Sequence, residues 1–115
     1  MAEPIVYIDP ADGLKRVMNN KGLYVKLLNK FKNESYLVNL SDSLSAEDFE
    51  KAQTAAHTIK GVAGNLSLVE LQKQAQEIES HIKNKSVETS VLESFTICYQ
   101  ETLIEVTKVI EEYGG

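Results

Sequence analysis

Both prolines of this chain, Pro4 and Pro10, fall within its opening residues, and the remaining hundred or so residues contain no obligate helix breaker. Apolar residues in that long stretch recur at alternating three- and four-residue steps, the period of an amphipathic helix. Nowhere do β-branched residues alternate with polar ones for long enough to build a sheet. A chain of 115 residues suits one domain, here 1–115. Its 43% hydrophobic and 25% charged residues are ordinary for a folded domain with one core.

The stripes divide the chain into helices. Asp9-Pro10 reads as an N-cap followed by proline at the first helical position, opening a short helix over about 10–19 with Leu14, Val17 and Met18 inward. The apolar segment Ile5–Ile8 before it can lie extended against the domain. Tyr24, Leu27, Leu28, Phe31, Leu37 and Val38 predict a longer helix over about 21–40, with Ser41–Leu44 as a loop. Ser45 with Asp48 resembles a capping box for a helix over about 46–64, whose stripe is Phe49, Ala52, Ala56, Ile59, Ala63 and Leu66. Ser67 with Glu70 caps the next in the same way, over about 68–83, and Lys83–Lys85 reads as a turn. The last helix spans about 87–112, with Phe95, Cys98, Tyr99 and Val106 among its inward positions. Such helices joined by short loops pack most simply as an all-α, antiparallel up-down four-helix bundle with a short extra N-terminal helix.

Charge and composition exclude several classes of function. A net charge of −5 opposes a nucleic-acid footprint, and Arg16 is the only arginine among 12 basic residues, a poor inventory for bidentate contacts to phosphates or bases. The single cysteine, Cys98, forbids an internal disulfide and any cysteine-rich metal site, and fits a small core residue. No metal site is expected, since His57 and His81 stand far apart in sequence and His81 suits the cation-favouring end of a helix. Met1–Pro4 lacks the pattern of a secretory signal and the apolar runs are too short to span a bilayer, so a cytoplasmic location without membrane attachment is expected.

The chemistry concentrates in Ala56-His57-Thr58-Ile59-Lys60-Gly61-Val62-Ala63-Gly64. On a helix, Ala56, Ile59 and Ala63 turn to the core while His57, Lys60, Gly61 and Gly64 share another face, extended by Gln53 and Glu50. Two glycines on one helical face weaken it by roughly 1–2 kcal/mol relative to alanine. Access to the imidazole explains this at Gly61; at Gly64, access and close packing of a neighbouring helix explain it equally well. Imidazole, with an unperturbed pKa of about 6.5, is largely unprotonated and nucleophilic near neutrality. Phosphoryl transfer needs positioning and charge neutralisation, and Lys60 stands one turn away to supply the latter. Reaction at one ring nitrogen calls for an acceptor at the other, and Glu79, on the flank of the apolar stripe of the helix over about 68–83, is a candidate. A histidine near a lysine is by itself weak evidence.

Ala55-Ala56-His57-Thr58-Ile59-Lys60-Gly61, followed by Ala63, Asn65-Leu66, Leu71, Ala75 and Ile78-Glu79, resembles the signature of the histidine-phosphotransfer (HPt) domains of bacterial two-component phosphorelays. Gly13-Leu14 and Tyr24-x-x-Leu27-Leu28-x-x-Phe31 resemble the N-terminal part of that family, while residues from 86 onward match it only as a long amphipathic helix. The resemblance implies that His57 is the phosphoacceptor, that Lys60 steadies the phosphoryl group, that Gly61 and Gly64 keep the approach clear, and that Glu79 orients the imidazole. It also implies a four-helix bundle that exchanges the phosphoryl group with aspartates on receiver domains of response regulators and hybrid histidine kinases. The chain would then be a phosphorylated carrier and not an enzyme, with no cofactor of its own, the Mg2+ ion belonging to the receiver. Where the family usually has Gly-Ala after Asn-Leu, this chain has Ser67-Leu68. Two other readings remain: the phosphoacceptor fragment of a chemotaxis-type histidine kinase, and a non-catalytic helical adaptor bundle. The chain carries no Gly-rich ATP loop.

Overall fold

The computed structural model describes residues 5–114, so the opening Met1–Pro4 reading lies outside the described residues. Those residues form six α-helices and no strand. They are α1 (Pro10–Arg16), α2 (Lys21–Asn33), α3 (Tyr36–Ser45), α4 (Phe49–Leu66), α5 (Val69–Lys83) and α6 (Thr89–Glu112). The alternating stripes become one shared interior in which Tyr24, Leu28, Phe31, Leu40, Ala52, Ala56, Ile59, Leu71, Ala75, Phe95 and Val106 are essentially inaccessible. The α4–α5 pairing is the most extensive; α3 also lies on α4, and α6 packs on α5 and α2.

Helix α1 starts where Asp9-Pro10 places it, with the Asp9 carboxylate accepting the Asp12 amide at 3.2 Å. It stops short of residue 19 because Met18 and Asn19 both take left-handed backbone (φ 56° and 60°), turning the chain into the Asn20 cap of α2. Met18 is therefore 91% exposed and not part of the buried stripe. Ahead of α1, Ile5 and Val6 are exposed while Tyr7 and Ile8 pack against the core.

The single helix expected over 21–40 is two helices, and the loop expected at Ser41–Leu44 is part of the second. Glu34 takes extended backbone (φ −85°, ψ 152°) and breaks the run. On an unbroken helix Phe31 and Tyr36 would point roughly 140° apart. The break brings their rings into a stack with centroids 6.0 Å apart, extending the core along α3.

Both expected capping boxes are replaced. Because α3 runs through Ser45, the cap of α4 is Asp48, whose carboxylate accepts the Lys51 amide at 3.1 Å. Ser67 caps nothing in α5; it ends α4 in left-handed backbone (φ 58°), where the Leu68 amide reaches back to the Ala63 carbonyl at 2.8 Å. Glu70 instead accepts from the Gln74 side chain at 3.1 Å. A serine at a position that favours glycine is held there by its surroundings: its hydroxyl donates to Asp12 at 2.5 Å and its carbonyl accepts the Asp9 amide at 2.9 Å. Helix α1 is thereby fastened to the α4–α5 junction. Tyr24 adds a further tie, its buried hydroxyl donating to the Leu66 carbonyl at 2.8 Å. The Tyr24 ring lies so close to Gly13 that no Cβ fits between them.

Candidate functional site

Helix α4 presents two faces. Ala52, Ala56, Ile59 and Ala63 are fully buried, and His57, one residue along, stands outside with its side chain 69% exposed. The junction at Ser67-Leu68 sends α5 back along α4, so that Gly64 faces Gln72 and His57 faces Glu79. Glu79 is a buried carboxylate on an otherwise apolar stripe, between Ile78 and Ile82.

That carboxylate is the hub of the site. Its Oε2 lies 3.4 Å from His57 Nδ1, and its Oε1 accepts a hydrogen bond from Lys60 Nζ at 2.9 Å. Burial works to raise the Glu79 pKa, but the Lys60 hydrogen bond and charge, with Lys83 and His57 behind them, outweigh it and hold the group below its ordinary value. Glu79 is therefore ionised at neutral pH. An ionised acceptor beside Nδ1 favours the tautomer that carries its proton there, which leaves the lone pair on Nε2.

The surroundings of the ring are open. An alanine methyl at Gly61 would meet no atom within 4 Å, so a bare stretch of helix lies one turn from His57. Gly64 differs: an added Cβ would come 2.9 Å from Gln72 Nε2, the tip of a flexible side chain on α5 that would have to shift. A shallow depression containing His57 is lined by Glu50, Gln53, Thr54, Thr58, Glu79 and Lys83. Gln53 and Glu50 were expected on this face; Lys83 was not, having been read as part of a turn. It ends α5, one turn beyond Glu79, and that i,i+4 spacing is the signal that could have placed it. His81 is exposed in the last turn of α5, and Cys98 is buried, its thiol pushed up to about 11 mainly by burial.

Chemically, the arrangement offers an exposed imidazole whose Nδ1 lies 3.4 Å from an ionised carboxylate, beside an ammonium group and uncovered backbone. No helix is long and apolar enough to cross a membrane among the described residues. A family model described as Hpt domain matches residues 27–108, which includes His57, Lys60, Gly61, Gly64 and Glu79. No curated protein and no solved structure matches the chain.

Proposed function

The chain belongs to the Hpt-domain family, and from that premise we propose that it carries a phosphoryl group on Nε2 of His57 between receiver-domain aspartates. The observation that carries this reading is the exposed His57 ring with Nδ1 turned to Glu79 and open backbone at Gly61.

The residues divide the work as follows. The Nε2 lone pair attacks the phosphorus of a receiver aspartyl phosphate; the phosphorus–oxygen bond breaks, the aspartate leaves as carboxylate, and the phosphorus–nitrogen bond forms. The ring keeps its Nδ1 proton and gains positive charge, which Glu79 stabilises at 3.4 Å. Lys60, held beside the ring by Glu79, offsets charge on the phosphoryl oxygens. Gly61 leaves room for the receiver's backbone. Transfer to a second receiver is the same step reversed. The Mg2+ ion belongs to the receiver, the carrier supplies no metal or nucleotide, and the reaction takes place in the cytoplasm. The bundle that presents the site is formed by α2, α4, α5 and α6, with α1 and α3 as additions, in one domain.

Incubation with a phosphorylated cognate receiver, or with a cognate hybrid kinase and ATP, is expected to place an acid-labile, base-stable label on the wild-type chain and none on His57→Gln. Label of equal yield on His57→Gln would sink the assignment.

A further inference from the structure

The molecule carries its charge unevenly. Two copies of a chain with net charge −5 repel one another at long range, so association between them needs a face that is locally complementary. Helix α2 holds four lysines and no acidic residue, while α6 holds five glutamates and one lysine. The two are antiparallel neighbours. Phe31 meets Tyr99 with ring centroids 5.4 Å apart, and Tyr24, near the start of α2, meets Tyr113, at the end of α6, at 6.4 Å. Yet no lysine of α2 takes part in an ion pair among the described residues, and α6 contributes only the Lys108–Glu105 pair within itself. Glu93, Ile97, Ile104 and Glu111 follow one another at four- and seven-residue steps along the outer side of α6. All four are exposed, the two isoleucines by 59% and 50%. Lys26 stands on the outer side of α2, away from the buried Tyr24, Leu28 and Phe31. Helix contacts run from α2 to α4, α5, α6 and back to α2, so this face lies across the interior from the α4–α5 side that presents His57.

We propose that a second copy of this chain docks on the α2–α6 face, about a twofold axis parallel to the two helices, with α2 of each copy lying on α6 of the other. Charge selects that axis. A twofold axis in the plane of the face but running across the helices would set lysine against lysine and glutamate against glutamate. The parallel axis crosses opposite signs twice, and such an isologous contact closes at two copies. It also fixes the register, because each turn of α2 meets, in the other copy, the level of α6 that it neighbours in its own chain. Lys32, next to Phe31 and so level with Tyr99, falls towards Glu93 of the second copy. Lys21, whose ammonium sits 5.2 Å from the Tyr113 ring centroid, falls towards Glu111 of the second copy. Ile97 and Ile104 give the contact an apolar centre within a charged rim. Both His57 rings stay on the far sides of the pair, so the inference does not rest on the chemistry assigned to them.

Sedimentation velocity on the full chain, from micromolar to millimolar concentration, tests this. The wild type is expected to show a reversible, concentration-dependent monomer–dimer equilibrium. The double variants Lys26→Glu/Lys32→Glu and Glu93→Lys/Glu111→Lys should each raise the dimer Kd roughly tenfold or more, since like charges then meet across the face. An equimolar mixture of the two should dimerise about as well as the wild type, because every crossing is again between opposite signs. Ile104→Ser should weaken the dimer without altering charge, and keeps the test open if a charge-reversed variant fails to fold. Lys73→Glu, an exposed change on α5, should leave the equilibrium unmoved. A wild type that stays monomeric throughout overturns the proposal, and so does a mixture that associates no better than either double variant alone. A monomeric wild type whose receiver binding is weakened by Lys26→Glu/Lys32→Glu would give the face to the receiver and overturn it equally.

Discussion

Gly61 costs α4 about 1 kcal/mol relative to alanine, and no atom occupies the space its missing methyl group leaves. Gly61→Ala should therefore raise stability by about 0.5–1 kcal/mol in chemical denaturation. Gly61→Gln, which covers the approach to His57, should leave the chain folded and slow transfer from a phosphorylated receiver roughly tenfold or more. A Gly61→Gln variant that transfers at the wild-type rate would remove access as the reason for this glycine. Gly13 behaves oppositely, because an added methyl meets the buried Tyr24 ring. Gly13→Ala should cost about 1–3 kcal/mol on the same measurement, by overpacking. Cys98 sits in the core with its thiol held up to about 11. At pH 8 almost none of it is thiolate, so a thiol-reactive dye should label the native chain only at the rate of unfolding.

At the scale of elements, α1 is tied to the α4–α5 junction by one residue in costly backbone. Ser67 holds φ 58°, a conformation about 1 kcal/mol or more unfavourable for a residue with a Cβ, and its hydroxyl bond to Asp12 offsets that. Ser67→Ala keeps the strain and loses the bond, while Ser67→Gly loses the bond and relieves the strain. In thermal melts the alanine variant should be less stable than the glycine variant by about 1 kcal/mol; the reverse order would deny the strain. This junction also shows what the sequence could and could not announce. The stripes of α4, α5 and α6 were legible because a helix buried along one side repeats its apolar residues at a fixed period, as Ala52, Ala56, Ile59 and Ala63 do. The break at Glu34 was not, since neither glycine nor proline marks it and its driving force is the later stacking of Tyr36 on Phe31. Ser45 and Asp48 are both capable N-caps, and only the extent of α3 decides between them. His57, Lys60 and Gly61 could be placed on one face by spacing within a helix. Glu79 could be placed only on a flank, and Lys83 only as its i,i+4 neighbour, because the register between two helices is set by packing across the interface and not by either sequence alone.

Across the whole molecule, the Glu79 carboxylate makes the fold sensitive to acid. Its folded-state pKa is lowered against the opposing effect of burial, by the Lys60 hydrogen bond and charge and then by Lys83 and His57. A carboxylate depressed on folding binds its proton less readily in the native chain than in the unfolded one, whose value is about 4.3. Its contribution to stability is thus fully present above that value and is lost as pH falls through the lower folded value. Asp12 acts in the same sense, its pKa lowered first by its Ser67 hydrogen bond and then by Arg16. Glu79→Gln removes the titrating group and leaves Lys60 without its anion. The variant should melt below wild type at pH 7, and the gap should narrow as pH falls below the ordinary carboxylate range, where the wild-type carboxylate also takes up a proton. Parallel melting curves for the two chains across that range, with a constant gap, would mean that Glu79 contributes by shape alone. A closing gap would identify the carboxylate beside His57 Nδ1 as an ionised anchor of the α4–α5 pair, joined across the two helices to Lys60.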